Sequence, residues 1–297
     1  QGLGVALADR CIEASIPYYI TLHDAWWICG RQFMLDETGA YCNQEVIDPS
    51  VCAGCVEDPI LNVIRQKRMK GVLNNARQLF APSEFFAELH RKNGFAEDQV
   101  TVNKNGVMKP LSSPQRIKQK GPVRFGYVGG YSRVKGFHLI DRVFRSLGDE
   151  VHLKVVDNML SLGVSSYDNV FSSTQKNVEI IPAYSQDNID DFFAGIDVLL
   201  FPTQWKESFG LTVREAIARN VWVIVTAAGG VTEDVLNGVN GEIIPFNDQG
   251  EDLRSAVINA VSRFQSIEIG AAVAWENSNI TWFKDQADQL ADIFSKA

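Results

Sequence analysis

The chain has 297 residues, 45% of them apolar, so it can bury a large core and by length accommodates about two domains. Its formal net charge of -8 argues against broad nucleic-acid binding. No apolar run approaches the ~18 residues of a membrane-spanning helix, although peripheral contact with a membrane face stays open.

The opening QGLGVALADRCIEASIPYYITLH starts at Gln1 and reads as a helix, a short link and a strand, without the n- and h-regions of a secretory signal. This mid-domain pattern predicts a truncated or processed chain whose earlier strands are absent. YYITLHDAWW predicts a buried strand ending at His23. Residues 29–59 then form an irregular stretch holding four of the five cysteines, long enough to be either functional or held by something. The odd cysteine total and the enzyme-like composition favour a reducing cytoplasm. Cys52-Ala-Gly-Cys55 has zinc-knuckle spacing, and Cys29 and Cys42 would complete a four-thiolate structural site; disulfides are the alternative.

PILNVIRQKRMKGVLNNA has helical spacing of Ile60, Val63, Ile64 and Val72 behind Pro59. LFAPSEFFAELHRKNG gives a short strand, then a helix capped by Ser83 and ended by Gly94. QVTVNKNGV is a further short strand. KPLSSPQRIKQKGP (109–122), basic and bracketed by prolines, reads as an inter-domain linker, or else as a surface loop within one domain. From Val123 apolar runs recur: VRFGYVG, VHLKVVD, VEIIPA, IDVLLFPT, VWVIVTA and GEIIPF. Near-continuous β-branched runs separated by helical segments predict a parallel sheet in a doubly wound α/β domain, with ligand at the carboxyl ends of the strands. ITWFKDQADQLADIFSKA closes the chain as an amphipathic helix.

Three loops after strand ends carry polar features. GYVGGYSRVKGF places Gly129-Gly130 before a helix expected to begin near Lys135. Glycine lets a backbone approach phosphate, and a helix N-terminus with a lysine favours it, though Gly-Gly and Lys-Gly are also ordinary turn residues. FPTQWKESFGLTVREAIARN places Glu207 before a helix and Glu215 about two turns inside it, a rise of roughly 12 Å if helical throughout. Carboxylates accept from sugar hydroxyls, and the amides near Gly210, Leu211 and Thr212 would face a diphosphate. Alternatively, both glutamates are ordinary surface charges. Leu211, Val213 and Ile217 within a turn of Glu215 argue for burial, and a buried carboxylate needs a partner. In TAAGGVTEDVLNGVNG, Gly229-Gly230 is expected to lead into a helix holding Glu233.

GGYSRVKG, FPTQWKESFGLTVREA and GGVTEDVLNGVNGEIIP together resemble the nucleotide-binding domain of GT-B glycosyltransferases, closest to the retaining family 4 group marked by a glutamate pair spaced E-x7-E. The likeness covers most of residues 80–297. It implies an α/β fold of two Rossmann-like doubly wound domains, the N-terminal one incomplete. Residues 1–112 would be the acceptor side, 113–280 the nucleotide-sugar domain, and 281–297 a helix crossing back to the first domain. It implies that Glu207 binds donor-sugar hydroxyls, with Ser208, Phe209 and Gly210 beside it. The Leu211 and Thr212 amides would meet the diphosphate, Glu215 would hold the ribose and Lys135 would neutralise phosphate charge. Family members often carry an arginine five residues before that lysine. Here the position is Gly130, and Arg133 is the candidate substitute. His23 resembles the family's active-site histidine; by the residues alone it is equally a structural cap.

The implied activity is transfer of a hexose from a nucleotide diphosphate sugar, a UDP-sugar, to a glycan or lipid-linked acceptor with retention, in the cytoplasm or at the inner face of a membrane. No D-x-D motif is evident, and neither a catalytic metal nor a further cofactor is expected. The competing readings are a non-catalytic or truncated nucleotide-sugar-binding homologue, or a GT-B epimerase.

Overall fold

The computed structural model describes residues 5–111, 116–167, 177–246 and 249–296. The chain divides into two compact units. The first comprises Gln1–Asn105, Trp205–Phe209 and Gln286–Ala297; the second comprises Gly106–Gln204 and Gly210–Asp285.

In the first unit, helix α1 (Ala6–Glu13) precedes strand β1 (Tyr19–Thr21). A 3-10 turn (Ala25–Trp27) and the short helix α2 (Pro49–Cys52) punctuate the cysteine-bearing stretch. Helix α3 (Pro59–Asn74) starts as the sequence suggests, with proline in its first turn and Asp58 accepting from the Leu61 amide. Strand β2 (Gln78–Ala81), helix α4 (Glu84–Lys92) and strand β3 (Val100–Val102) follow. Ser83 caps α4 by accepting from the Phe86 amide at 3.1 Å, as its position predicts. The described strands form a parallel sheet ordered β1-β2-β3.

The second unit holds the strands expected from Val123 onward. A two-residue strand β4 (Arg116–Ile117) comes first. The six apolar runs become β5 (Val123–Tyr127), β6 (Val151–Asp157), β7 (Val178–Pro182), β8 (Val198–Phe201), β9 (Trp222–Thr226) and β10 (Gly241–Ile244). They form one parallel sheet ordered β10-β9-β8-β5-β6-β7. β8 and β9 are buried at every residue, which explains their unbroken apolar sequence.

Helices cover both faces of this sheet. Helix α5 (Phe137–Phe144) and helix α8 (Glu251–Gln265) pack Phe137, Phe144, Leu253 and Val257 with Phe125 and Tyr127. Helix α6 (Ile189–Ala194) and helix α7 (Leu211–Ile217) pack Phe193, Val213 and Ile217 with Leu199, Val223 and Val225. Strand β11 (Ala272–Val273) pairs antiparallel with β4. The expected linker is therefore not free throughout: Arg116 and Ile117 are tied into the second unit by ladder bonds, while its residues 112–115 lie outside the described residues. Helix α9 (Phe283–Ser295) closes the chain. Within the first unit its Phe294 ring meets Tyr19 edge-on at 4.8 Å.

One helix expectation is met and one is corrected. The helix after β5 starts at Phe137, within two residues of the expected start near Lys135, behind Gly136 with its left-handed φ of 79°. The stretch after Gly229-Gly230 forms only a 3-10 turn, Gly230–Thr232, with Glu233 just past it. There the backbone is held by a side chain instead of by helical bonds. Arg214 of α7 donates to the carbonyls of Gly230 at 2.6 Å and Val231 at 3.2 Å, and to Asp234 at 2.7 Å. Both charged partners are almost wholly buried. Breaking a buried pair leaves one charge uncompensated. Asp234→Ala is thus expected to lower unfolding free energy by about 3–5 kcal/mol in urea titrations, and Asp234→Asn by less, since it keeps an acceptor. Equal small losses for both would show the pair to be dispensable.

Candidate donor site at the carboxyl edge of the six-stranded sheet

The chain order reverses at the middle of the large sheet. It leaves β5 toward β6 and β7, then returns to place β8 on the other side of β5. In open α/β sheets the loops leaving the two strands at such a reversal diverge, and ligand binds at their carboxyl ends. The loops here are anchored to each other. The Gln204 amide donates to the Val134 carbonyl at 2.7 Å. A Cβ on Gly136 would lie 1.9 Å from the Pro202 oxygen, so only glycine fits there. The Thr226 hydroxyl, at the end of β9, donates to the Thr203 carbonyl at 2.6 Å and ties in the third loop.

The loop after β5 carries Gly130, Arg133 and Lys135. Gly130 has a φ of 69°, and open space surrounds the position a Cβ would take. An arginine at that position would be strained in this backbone. Arg133 is exposed, and Lys135 is half-buried with its ammonium 5.9 Å from the Phe201 ring centre. Sequence reasoning missed Tyr127. Its buried phenol donates to the carbonyls of Gly130 at 3.0 Å and Lys135 at 3.4 Å and so spans the loop. Nothing in the pattern VRFGYVG distinguishes it from an ordinary strand tyrosine.

α7 begins at Leu211 behind Gly210, whose φ of 86° turns the chain into the helix. Among the described residues the amides of Leu211 and Thr212 have no hydrogen-bond partner, as first-turn geometry dictates. Glu215 lies one turn into α7, not two. The stretch before Leu211 is not helical, so a helical ruler laid from Glu207 overstates the span. The Glu215 side chain is buried, with 8% of the residue exposed, and forms no ion pair among the described residues. Burial pushes its carboxyl above the ordinary range, opposed by Arg219 and a hydrogen bond from Gln186. Arg219 is itself committed to Asp190 at 2.6 Å. Tyr184, raised by burial and by the charge of Glu215, stacks on Phe192 at 4.6 Å beside it.

The remaining expected site residues belong to the first unit. Glu207 is buried and accepts from the Trp205 indole at 2.6 Å. Ser208 donates to the His23 carbonyl at 2.6 Å and accepts through its own carbonyl from Ser83 at 2.6 Å. Phe209 is buried. The His23 side chain is exposed, two residues past β1, and lines a cavity of about 840 Å³ with Trp26 and Trp27.

The four loop cysteines are unbridged and line one small cavity. As placed, no three His, Cys, Asp or Glu side chains among the described residues can share a metal ion. Among the same residues no helix is long and apolar enough to cross a membrane.

A doubly wound sheet with phosphate-compatible loops at its order reversal, joined to a second unit with a parallel sheet, defines a GT-B glycosyltransferase fold. The family model for glycosyl transferases group 1 matches residues 108–263, and the chain belongs to that family. It is 30% identical over 325 aligned positions to the D-inositol 3-phosphate glycosyltransferase of Mycolicibacterium smegmatis, covering 93% of this chain and 68% of that one. It is 25% identical to the glycosyltransferase MJ1178 of Methanocaldococcus jannaschii, over 56% of this chain and 45% of that one. The chain thus spans from under half to about two thirds of the length of these relatives. HepE of Anabaena, solved in complex with UDP and glucose, superposes with a TM-score of 0.71 at 17% identity, over 99% of this chain and 75% of that one.

An acid whose pKa is raised by folding holds its proton more tightly folded than unfolded. It stabilises the fold below the ordinary carboxylate pKa, and this contribution is lost as pH rises through the raised value. Glu215→Gln is therefore expected to melt above the parent chain at about pH 8, with the gap closing toward about pH 4. Melting below the parent at the higher pH would mean the carboxylate serves the fold.

Proposed function

We propose that the chain carries the donor site of a transferase that moves a hexose from a UDP-sugar to a glycan or lipid-linked acceptor with retention of configuration. The observation that carries this reading is Glu215, a buried carboxylate with no ion pair among the described residues, held at the carboxyl edge of the sheet. Such a group costs stability unless a ligand supplies donors, and a ribose diol supplies two. HepE, which shares the fold, was solved with UDP-glucose.

In this reading Glu215 accepts from the ribose hydroxyls. Lys135 and the amides of Leu211 and Thr212 neutralise the diphosphate, and Gly130 allows its close approach, with Arg133 adding charge. Glu207, flanked by Ser208, Phe209 and Gly210, takes the hydroxyls of the donor sugar, and His23 acts near the reacting carbon. The first unit is the acceptor side. The bond from the anomeric carbon to the diphosphate breaks with its electron pair going to the phosphate oxygen, through an oxocarbenium-like state. The acceptor oxygen bonds to the same face, and its proton passes to the departing diphosphate. Cationic side chains and amides lower the barrier by stabilising charge that grows on the leaving group. In this reading the chain works in the cytoplasm, and a lipid-linked acceptor would bring it to the inner membrane face.

Loss of hydrogen bonds to a charged acceptor costs about 1.5–3 kcal/mol, so Glu215→Ala is expected to weaken UDP binding roughly 10- to 150-fold by calorimetry. Unchanged affinity would remove Glu215 from the site. His23→Ala is expected to leave UDP affinity within about twofold while donor turnover falls on the order of 100-fold. Turnover at the parent rate would leave His23 a structural role only. A thermal-shift panel of UDP-, GDP- and ADP-sugars tests the base, because a ligand that binds only the folded state raises the midpoint.

A further inference from the structure

The long connection between the 3-10 turn Ala25–Trp27 and α3 has little regular structure, although side chains such as Asn93, which bonds the Ile47 amide at 2.8 Å, tie it down. Its only regular element is the four-residue α2, and its buried side chains are few, chiefly Ile28, Cys29, Met34, Tyr41 and Cys52. Connections this long within a domain call for a function or a staple. Cys29, Cys42, Cys52 and Cys55, drawn from across the stretch, nevertheless line the same void, of about 10 Å³. By this measure it has room for about one water-sized sphere.

Polar donors are turned toward the sulfurs. The Arg31 amide donates to Cys29 Sγ at 3.4 Å, two residues along the chain, and the Gln44 amide nitrogen lies 3.8 Å from Cys52 Sγ and 4.0 Å from Cys42 Sγ. A buried thiol packed merely as a small hydrophobe needs no such donors. A thiolate bound to a cation does, because its remaining charge must be satisfied from the surrounding shell. The Arg31 guanidinium also donates to the Cys55 carbonyl at 3.2 Å, joining the first and last cysteine turns. Cys11, the fifth cysteine, lies on α1 and takes no part in this void.

We propose that Cys29, Cys42, Cys52 and Cys55 bind a structural zinc ion as a tetrathiolate. Four soft sulfur ligands in one small chamber suit tetrahedral zinc, with each sulfur about 2.3 Å from the metal. As the side chains stand, no three can share an ion, so closure requires rotation of the cysteine side chains inward around the common void. Binding converts four thiols and one Zn²⁺ to a Zn(SR)₄ centre of charge 2-, with release of four protons. The centre would staple a loop whose Phe33 ring packs edge-on to Trp205 at 4.4 Å, next to Glu207 within the same unit. The assignment does not depend on the transferase reading.

The test is metal analysis of the chain purified and reconstituted with Zn²⁺ under reducing conditions. One zinc per chain is expected, with only Cys11 reacting quickly with a thiol reagent in the folded protein. Stripping with a chelator should expose all five thiols and lower the melting temperature. Co²⁺ in place of zinc should give an intense sulfur-to-metal charge-transfer band. Cys55→Ser should lose the metal and Cys11→Ser should keep it. The stoichiometry and thiol count on the parent chain decide the matter even if Cys55→Ser fails to fold. Less than about a tenth of an equivalent of zinc, with all four loop thiols reactive or paired in disulfides, would overturn the proposal.

Discussion

The reversal of strand order at the centre of the six-stranded sheet is the constraint on which the rest of the second unit depends. β5 and β8 are hydrogen-bonded neighbours, yet the chain departs from them toward opposite edges. At such a reversal the loops of open α/β sheets diverge, and that is where ligand binds. The two loops here approach each other closely, where Gly136 faces the Pro202 carbonyl. Any larger residue at 136 would push the loop that carries Gly130 and Lys135 away from the one leading into α7.

Around these loops the side chains divide into those that hold the frame and those left with capacity to spare. Arg214 spends its guanidinium on Asp234 and the turn after β9, and Tyr127 spans the loop after β5. These groups are satisfied within the protein, and their burial stabilises the fold. Glu215, next to Arg214 in the sequence, is buried without an ion pair among the described residues. Two adjacent charged residues on one short helix thus have opposite fates. One is paired within the protein, and the other is buried without a counter-charge among the described residues.

Much of the fold was legible because a parallel sheet buried on both faces demands unbroken β-branched runs, and six such runs became six strands. The caps at Asp58 and Ser83 were equally legible, since their donors and acceptors lie within three residues. The short α7 and the 3-10 turn after Gly229 were not. Their bounds are set by Gly210 turning left-handed and by Arg214 gripping carbonyls sixteen and seventeen residues away, which local spacing does not encode. Tyr127 escaped notice for the same reason, because it acts through partners chosen by folding.

The sequence alone determined the class of fold and which residue types gather near the strand ends, because strand and helix periodicities and glycine-bearing turns are properties of neighbours along the chain. Only the tertiary structure decided that Glu215 is buried without an ion pair among the described residues while Arg214 is paired, and that four scattered cysteines line one void. Burial and pairing depend on which distant segments pack together, and no local pattern carries that information.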